Sequence, residues 1–449
     1  MRTASRLVLF DAAITFVSTP APAQTAQTAQ TAQTAQTAQT AQTLSLQQAE
    51  QIAIQNHPQI QAATALASAA DAQRREVRAP YYPNVNGSLT GAEAVDSNRI
   101  GAGALNDPRI FDKYANGFAV SQLVTDFGRT HQFVKSATLH ARAQEENVVT
   151  SRADVLLQVD QAYFGVLRAQ ALLRVAQQTT SERQLVSNQV TQMAANQLKS
   201  QLDVTFANVD LSQAQLLLIQ AQNNLQASYA DLTRALGFAD QRTYNLMEEA
   251  QSPPPPMDLP TLIQQAIRNR PDFISQQFEV NSAESFATAE RDLWFPTVSV
   301  AGAAGLIPFH TTVNANGLND QYAAAGFNVN IPIFNGHAFG ALRNEAQARA
   351  LAQQQNLRDL QDRIVRDVNK AWLDANSGYQ RLAVVQQLVD QATQALNLAQ
   401  ARYQLGLSSI VELTQAQLNL TQAQIEQVNA TYDYQTQLSA LNYQIGNLR

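Results

Sequence analysis

Between Val204 and Ala235 large apolar residues return every seven positions, as Val204, Leu211, Leu218, Leu225 and Leu232, while Ala207, Ala214, Ala221, Ser228 and Ala235 keep step three positions on. A seam of large residues interleaved with small ones is the pattern of two α-helices packed side by side at close approach. The preceding stretch, about Arg129 to Asn196, contains no proline and carries periodic apolar residues throughout. A helix of roughly 65 residues rises about 100 Å, a length that belongs to coiled coils. Gln197 to Asp203 is then the turn that sends the second helix back along the first. A second such pair is predicted around Gly406 to Glu412, where Leu413, Ala416, Leu420 and Ala423 begin the seam before Gln427 and Tyr434 loosen it. Away from the seams the helices carry Gln, Asn, Ser, Thr and Ala, which suits helices that touch lateral neighbours and leave one face wet.

Elsewhere the period drops to two. Val85, Gly87, Leu89 and Gly91 share one side of an extended segment and Asn84, Asn86, Ser88 and Thr90 the other. Val298, Val300, Gly302 and Ala304 alternate in the same way with Thr297, Ser299, Ala301 and Ala303. Strands are predicted at about 84–92, 117–125, 297–304 and 325–334, with surface loops at Glu93 to Ala115 and Gly305 to Gln321. Tyr81, Tyr82, Trp294 and Phe295 fall near the strand ends, the place of an aromatic belt at a membrane interface.

The chain contains itself twice. Leu46 to Pro58 matches Leu259 to Pro271, with the Asn-His-Pro58 and Asn-Arg-Pro271 sites and Tyr82-Pro83 and Phe295-Pro296 at an offset of 213. Ala162-Tyr163 and Ala371-Trp372, Asp203 and Glu412, Leu211 and Leu420, and Gly237 and Gly446 pair at 209. The four-residue slip falls between Pro83 and Val120, which marks an exposed loop, because a length change inside a packed helix rotates its apolar face. Each repeat opens on a capping signal, Ser45 with Gln48 and Asp258 with Pro260, and the two Asn-x-Pro sites break or kink the first helix. The domains expected are a first repeat at 44–237, a proline-rich linker at 238–257 and a second repeat at 258–449. The two short helices of a repeat together match its long one in length, so they are expected head to tail beside it, with strands at one end and turns at the other.

Composition narrows the class. Only 15% of residues are charged and the net charge is −6, so there is no basic patch for nucleic acid. With no cysteine, disulfides, thiolate metal sites and a lipid anchor on cysteine are excluded. No apolar run after residue 24 is long enough for a transmembrane helix. Arg2 and Arg6, Leu7 to Val17 and Ala21-Pro22-Ala23 read as an export signal over 1–23, although Asp11 interrupts its apolar segment. The Thr-Ala-Gln triplets over 24–43 read as a low-complexity spacer. His57, His131, His140, His310 and His337 form no metal-ligand spacing, and no nucleophile set, phosphate loop or dinucleotide fingerprint is present, so no catalytic residue, metal or cofactor is expected.

Four strands do not close a barrel, and an open edge in lipid leaves backbone groups unpaired at several kcal/mol each. Copies of the chain must then cover the edges. Three give twelve strands; two give eight with a narrower interior. The fold class expected is mainly α with a small β part.

The paired Asn-x-Pro sites, the aromatic-Pro before the first strand of each repeat, Ile331 to Gly336, and the run from Arg402 through Tyr403, Gly406 and Ser409 to Leu418 together resemble the TolC-like outer-membrane efflux proteins. The likeness covers about Leu44 to the C-terminus. It implies a homotrimer with a twelve-stranded β-barrel in outer-membrane lipid and an α-helical coiled-coil tunnel through the periplasm, docked on a periplasmic adaptor and an inner-membrane pump. Such a duct is not an enzyme. The resemblance also carries over a periplasmic mouth in which a tyrosine and an arginine on one turn hold an aspartate on the other. Tyr403 fits the tyrosine and Asp203 the aspartate, whereas Ser408 stands at the arginine position. Glu412 fits the first acidic ring of the pore and Gln415 stands at the second. Leu405, Gly406 and Leu407 match the turn presented to the adaptor, with Gln197 and Leu198 as their first-repeat equivalents. The implied lock is incomplete. A structural coiled-coil stalk is the competing class; it accounts for the heptads and not for the strand pairs.

Overall fold

The computed structural model describes residues 43–92, 113–240, 242–248, 253–256, 258–310 and 321–448. The expected export segment lies outside them, as do the spacer except Thr43 and most of the two strand-connecting loops.

Each repeat is built from the same parts in the same order. In the first, β1 (Thr43–Leu44) and α1 (Leu46–Asn56) lead into α2 (Pro58–Val77), β2 (Asn84–Ala92), β3 (Lys113–Thr125), α3 (Arg129–Ala195) and α4 (Gln201–Ala235). After β4 (Asn245–Leu246), the second repeat runs α5 (Leu259–Asn269), α6 (Pro271–Arg291), β5 (Thr297–His310), β6 (Gln321–Asn330), α7 (Ala338–Gln404) and α8 (Ile410–Gln444). The long helices α3 and α7 have 67 residues each, and Gly165 lies within α3 without breaking it.

The breaks at Pro58 and Pro271 have the cause the sequence indicated. His57 (φ −70°, ψ 124°) and Arg270 (φ −67°, ψ 121°) are extended, because proline disfavours helical backbone before it. Into each break fits the end of the returning helix. Gly237 (φ +82°) and Gly446 (φ +75°) close α4 and α8 in left-handed turns, and a Cβ on either would sit about 2.9 Å from the backbone of Asn56 or Asn269. Short helices thus meet end to end beside each long one. Ser45 forms the expected capping box with Gln48. Asp258 does not cap backbone in that way; its carboxylate takes the Thr261 hydroxyl instead.

On the α3–α4 seam the small residues Ala207, Ala214 and Ala221 are buried, whereas Leu211, Leu218 and Leu225 are half-buried. Close backbone approach is what the alanines permit, and it pushes the larger side chains toward the seam's margins. Core clusters form where the helices meet: Ala49, Ala53, Val159, Tyr163, Leu232 and Leu236 in the first repeat, and Leu262, Ala266, Ile364, Val368, Leu441 and Ile445 in the second.

The four long strands form one antiparallel sheet in the order β2-β3-β5-β6, so the two repeats share a sheet through β3 and β5. Three strands depart from their expected bounds. β3 begins at Lys113 rather than 117, and β5 runs to His310 rather than 304, both continuing into stretches expected as loops. β6 spans 321–330 rather than 325–334, because Pro332 has no N–H for a ladder and pairing stops at Asn330. Thr43 is not spacer: it pairs with Asn245, within the linker, in a parallel two-stranded ribbon.

That ribbon and the linker are pinned by aromatic side chains of the helices. The Tyr163 hydroxyl lies within hydrogen-bonding distance of the Leu44 and Met247 carbonyl oxygens, at 2.9 and 2.7 Å. At the equivalent position Trp372 donates its indole N–H to the Pro256 carbonyl (2.7 Å), and the Tyr434 hydroxyl donates to that of Pro253.

Candidate functional site

The two helical hairpins end in turns of the same construction. Gln197 (φ +60°) and Gly406 (φ +75°) take left-handed backbone after α3 and α7. In each turn the next N–H reaches back five residues, Leu198 to the Met193 carbonyl (2.9 Å) and Leu407 to that of Arg402 (2.8 Å). This geometry ties off the last free carbonyls of a helix; glycine adopts it without strain, and Gln197 holds it at a cost. The turns present Leu198, Leu405 and Leu407 outward, at 71%, 74% and 68% exposure, with Leu202 and Val411 beside them.

Behind the exposed leucines the hairpins pack on one another. Val190 of α3, Val204 and Ala207 of α4, Tyr403 of α7, and Ile410 and Leu413 of α8 form a buried apolar cluster drawn from all four helices. Tyr403 is its polar member. Burial and, secondarily, the charge of Asp203 push its phenol pKa up, and its hydroxyl has no hydrogen-bond partner among the described residues. The expected Tyr403–Asp203 hydrogen bond is therefore not formed. Asp203 is used elsewhere: its Oδ2 accepts from the Ser200 N–H at 3.0 Å while its own N–H donates to Ser200 Oγ at 3.2 Å, a reciprocal cap at the start of α4.

Glu412 occupies the matching place on α8, yet Ser409 makes no side-chain cap there. One methylene longer than aspartate, Glu412 reaches across to Arg402, with Oε1 3.2 Å from Nε. Ser408 is half-buried and its Oγ has no partner among the described residues; Gln415 is exposed and donates to Asn419 Oδ1 at 2.9 Å. The cations at this end come from two other residues. Lys199 places its ammonium 3.9 Å from the centre of the Tyr403 ring, and Arg402 holds Glu412. Lys199 stands inside the first turn and Arg402 in the last turn of α7, but only the packing of one hairpin on the other brings Lys199 onto Tyr403.

At the opposite end, the sheet has two unlike faces. Val85, Leu89, Phe118, Val120, Val300, Leu306, Phe327 and Val329 lie on one face and are all exposed; pairing of Val85 with Val120 and of Val300 with Phe327 sets them side by side. Asn84, Asn86, Ser88, Ser121, Ser299, Asn328 and Asn330 lie on the other. Among the described residues β2 pairs only with β3, and β6 only with β5, which leaves both edges open. Tyr81, Tyr82, Trp294 and Phe295 stand at the helix end of the sheet, exposed as expected. Phe127, Ile331, Ile333 and Phe334 add to them, with Phe127 and Phe295 ring centres 6.1 Å apart. No helix among the described residues is long and apolar enough to cross a membrane.

A bare apolar sheet with open edges, carried on long helical hairpins with a wet face, defines the class: a membrane transport channel. The sequence profile of the outer membrane efflux protein family matches residues 49–238 and 262–447, and the chain belongs to that family. The two matched segments begin 213 residues apart and end 209 apart, the same offsets as the internal duplication. Outer membrane protein OprJ of Pseudomonas aeruginosa is 25% identical over 380 residues, covering 83% of this chain and 78% of its own. Outer membrane protein TolC of Salmonella enteritidis is 22% identical over 416 residues, covering 90% and 82%. Among solved structures, the outer membrane protein VceC of Vibrio cholerae superposes with a TM-score of 0.77 at 19% identity, covering 89% of this chain and 96% of its own. The family is one of transport channels rather than enzymes.

Proposed function

We infer that this chain is one of three identical subunits of an outer-membrane exit duct, which conducts cargo passively from a periplasmic adaptor and an inner-membrane pump to the exterior. The observation that carries this reading is the sheet: among the described residues nothing covers its apolar face and its edges are open. Lipid satisfies the face, and only neighbouring copies satisfy the edges, β2 of one against β6 of the next. Three copies make twelve strands, enough for an aqueous interior. The helices favour the same assembly. Leu202, Val209 and Leu216 line an exposed heptad row on α4, while Val384 and Leu398 stand exposed two heptads apart on α7. These are the flanking helices of the two hairpins, so a ring of copies buries both sets. A stalk of coiled coils leaves the bare sheet without a purpose.

In this reading Tyr81, Tyr82, Trp294 and Phe295 sit at the inner interface of the outer membrane, and the helices extend into the periplasm. Asp203, Tyr403, Ser408, Glu412 and Gln415 lie around the mouth, while Gln197, Leu198, Leu405, Gly406 and Leu407 form the surface that meets the adaptor. Three Glu412 side chains around one axis give the pore its cation preference, moderated by Arg402. Single-channel recording of Glu412→Gln tests this assignment: cation selectivity falls if the three carboxylates face the pore, and unchanged selectivity removes Glu412 from it.

A further inference from the structure

Arg183 is a charged side chain 95% withdrawn from solvent in the middle of the helical wall. It lies on α3, about 18 Å above the turn at 1.5 Å per residue. Its Nε stands 3.5 Å from Oδ2 of Asp210 on α4, itself mostly buried, and its Nη2 donates to Thr421 Oγ1 of α8 at 3.4 Å. Asp210 in turn accepts a hydrogen bond from Thr414, also of α8. One ion pair thus spans the first hairpin and grips the second at two places a little under two turns apart.

The duplication supplies an internal control. At the equivalent positions of the second hairpin stand Ala392, which is buried, and Asn419. A hairpin of this construction therefore folds without the ion pair. Nor does α3 need it to hold α4, since Ser187 donates to Asn208 Oδ1 (2.8 Å) and Thr180 to the Ala214 carbonyl (3.0 Å) on either side of it. Burial lowers the Arg183 pKa and raises that of Asp210, so desolvation outweighs their mutual attraction and the pair is a poor source of stability. What the pair adds, and the surrounding contacts do not, is a polar link from the first hairpin to α8 between the apolar cluster at the turns and the Arg168–Asp433 ion pair higher up (3.2 Å).

We propose that Arg183 and Asp210 form a clamp between the two helical hairpins of one chain, holding α8 through Thr421 and Thr414 so that the turns move together. Separating the hairpins would break both threonine hydrogen bonds before water reaches the buried pair, which sets a barrier to widening at this end. Only the consequence for the width of a mouth rests on the duct reading.

The cysteine-free sequence permits a direct test. Spin labels are placed on Leu198→Cys and Leu405→Cys, and the labelled chain is assembled with an excess of unlabelled chain so that each distance lies within one subunit. Arg183→Ala with Asp210→Asn writes the second hairpin's residues into the first. The expected result is a retained assembly whose inter-label distances broaden and lengthen by about 2 Å or more, the scale of helix shifts at an interface. Thr414→Val with Thr421→Val keeps the ion pair and cuts only its hold on α8, and is expected to do the same. If this variant leaves the distances unchanged, the pair is merely a brace within the first hairpin and the clamp is overturned; should the first variant not assemble, the second decides alone. Conductance recorded on the same samples separates the two claims, because a wild-type protein that forms no channel contradicts the duct while the distances still decide the clamp.

Discussion

Asp160 is a carboxyl placed where ionisation is opposed from two sides. It is buried on α3, and burial, reinforced by Glu50 of α1 and partly offset by a hydrogen bond from Ser439 of α8, pushes its pKa up to about 7. At low pH the folded and unfolded chains both hold the proton and no penalty exists. As pH rises from about 4 to about 7 the unfolded chain releases it first, so stability falls across that window. The second repeat has Asn369 and Ile263 at the equivalent places. Asp160→Asn is therefore expected to stabilise the protein by roughly 1–3 kcal/mol at pH 8 and to have almost no effect at pH 4; denaturation followed at both pH values checks it, and an equal effect at both would refute the account. At the turns, Asp203 and Glu412 could be paired from the sequence because one offset relates them, and Tyr403 could be named because its turn resembles that of the efflux proteins. Their partners could not. Whether a carboxylate caps its own helix, as Asp203 does, or reaches an arginine, as Glu412 does, depends on one methylene and on which hairpin lies alongside.

At the scale of elements, the two kinds of glycine turn carry different loads. Gly237 and Gly406 both take left-handed backbone, but a Cβ at Gly237 meets the Asn56–His57 backbone while one at Gly406 meets nothing within 4 Å. Gly406→Ala is expected to cost about 1 kcal/mol from backbone strain alone, and Gly237→Ala about 2–4 kcal/mol because the end of α4 must also back away from the α1–α2 break. Comparing the two unfolding free energies tests the end-to-end stacking; equal losses would contradict it. The helices, their breaks and their seams were legible because each is written in local periodicity or in a proline. The strand ends were less so. Ile331 to Phe334 has strand-like composition, yet Pro332 stops the ladder, while Lys113 to Asn116 and Gly305 to His310 are strand in loop-like sequence because a neighbouring strand pairs with them. The left-handed Gln197 was hidden as well, since the side chain gives no sign of it and only the glycine in the second repeat does.

For the whole molecule, the sheet and the hairpins make opposite demands on their surroundings. Among the described residues the sheet leaves an apolar face bare and two edges open; the hairpins carry polar faces, apolar rows and exposed leucines at their turns. One closed ring satisfies all of these together. In the proposed trimer the turns stand six to a mouth, and Gly406→Trp is expected to abolish crosslinking to the adaptor while leaving assembly intact. Loss of assembly would instead place Gly406 in the ring itself. The most direct measurement of the central claim is electron cryomicroscopy of the full chain in lipid nanodiscs. Three subunits closing one twelve-stranded barrel, with β2 of each paired to β6 of the next and the Val85–Phe327 face on lipid, is the predicted result. A two-chain assembly, or a sheet whose apolar face is covered by protein, would contradict it.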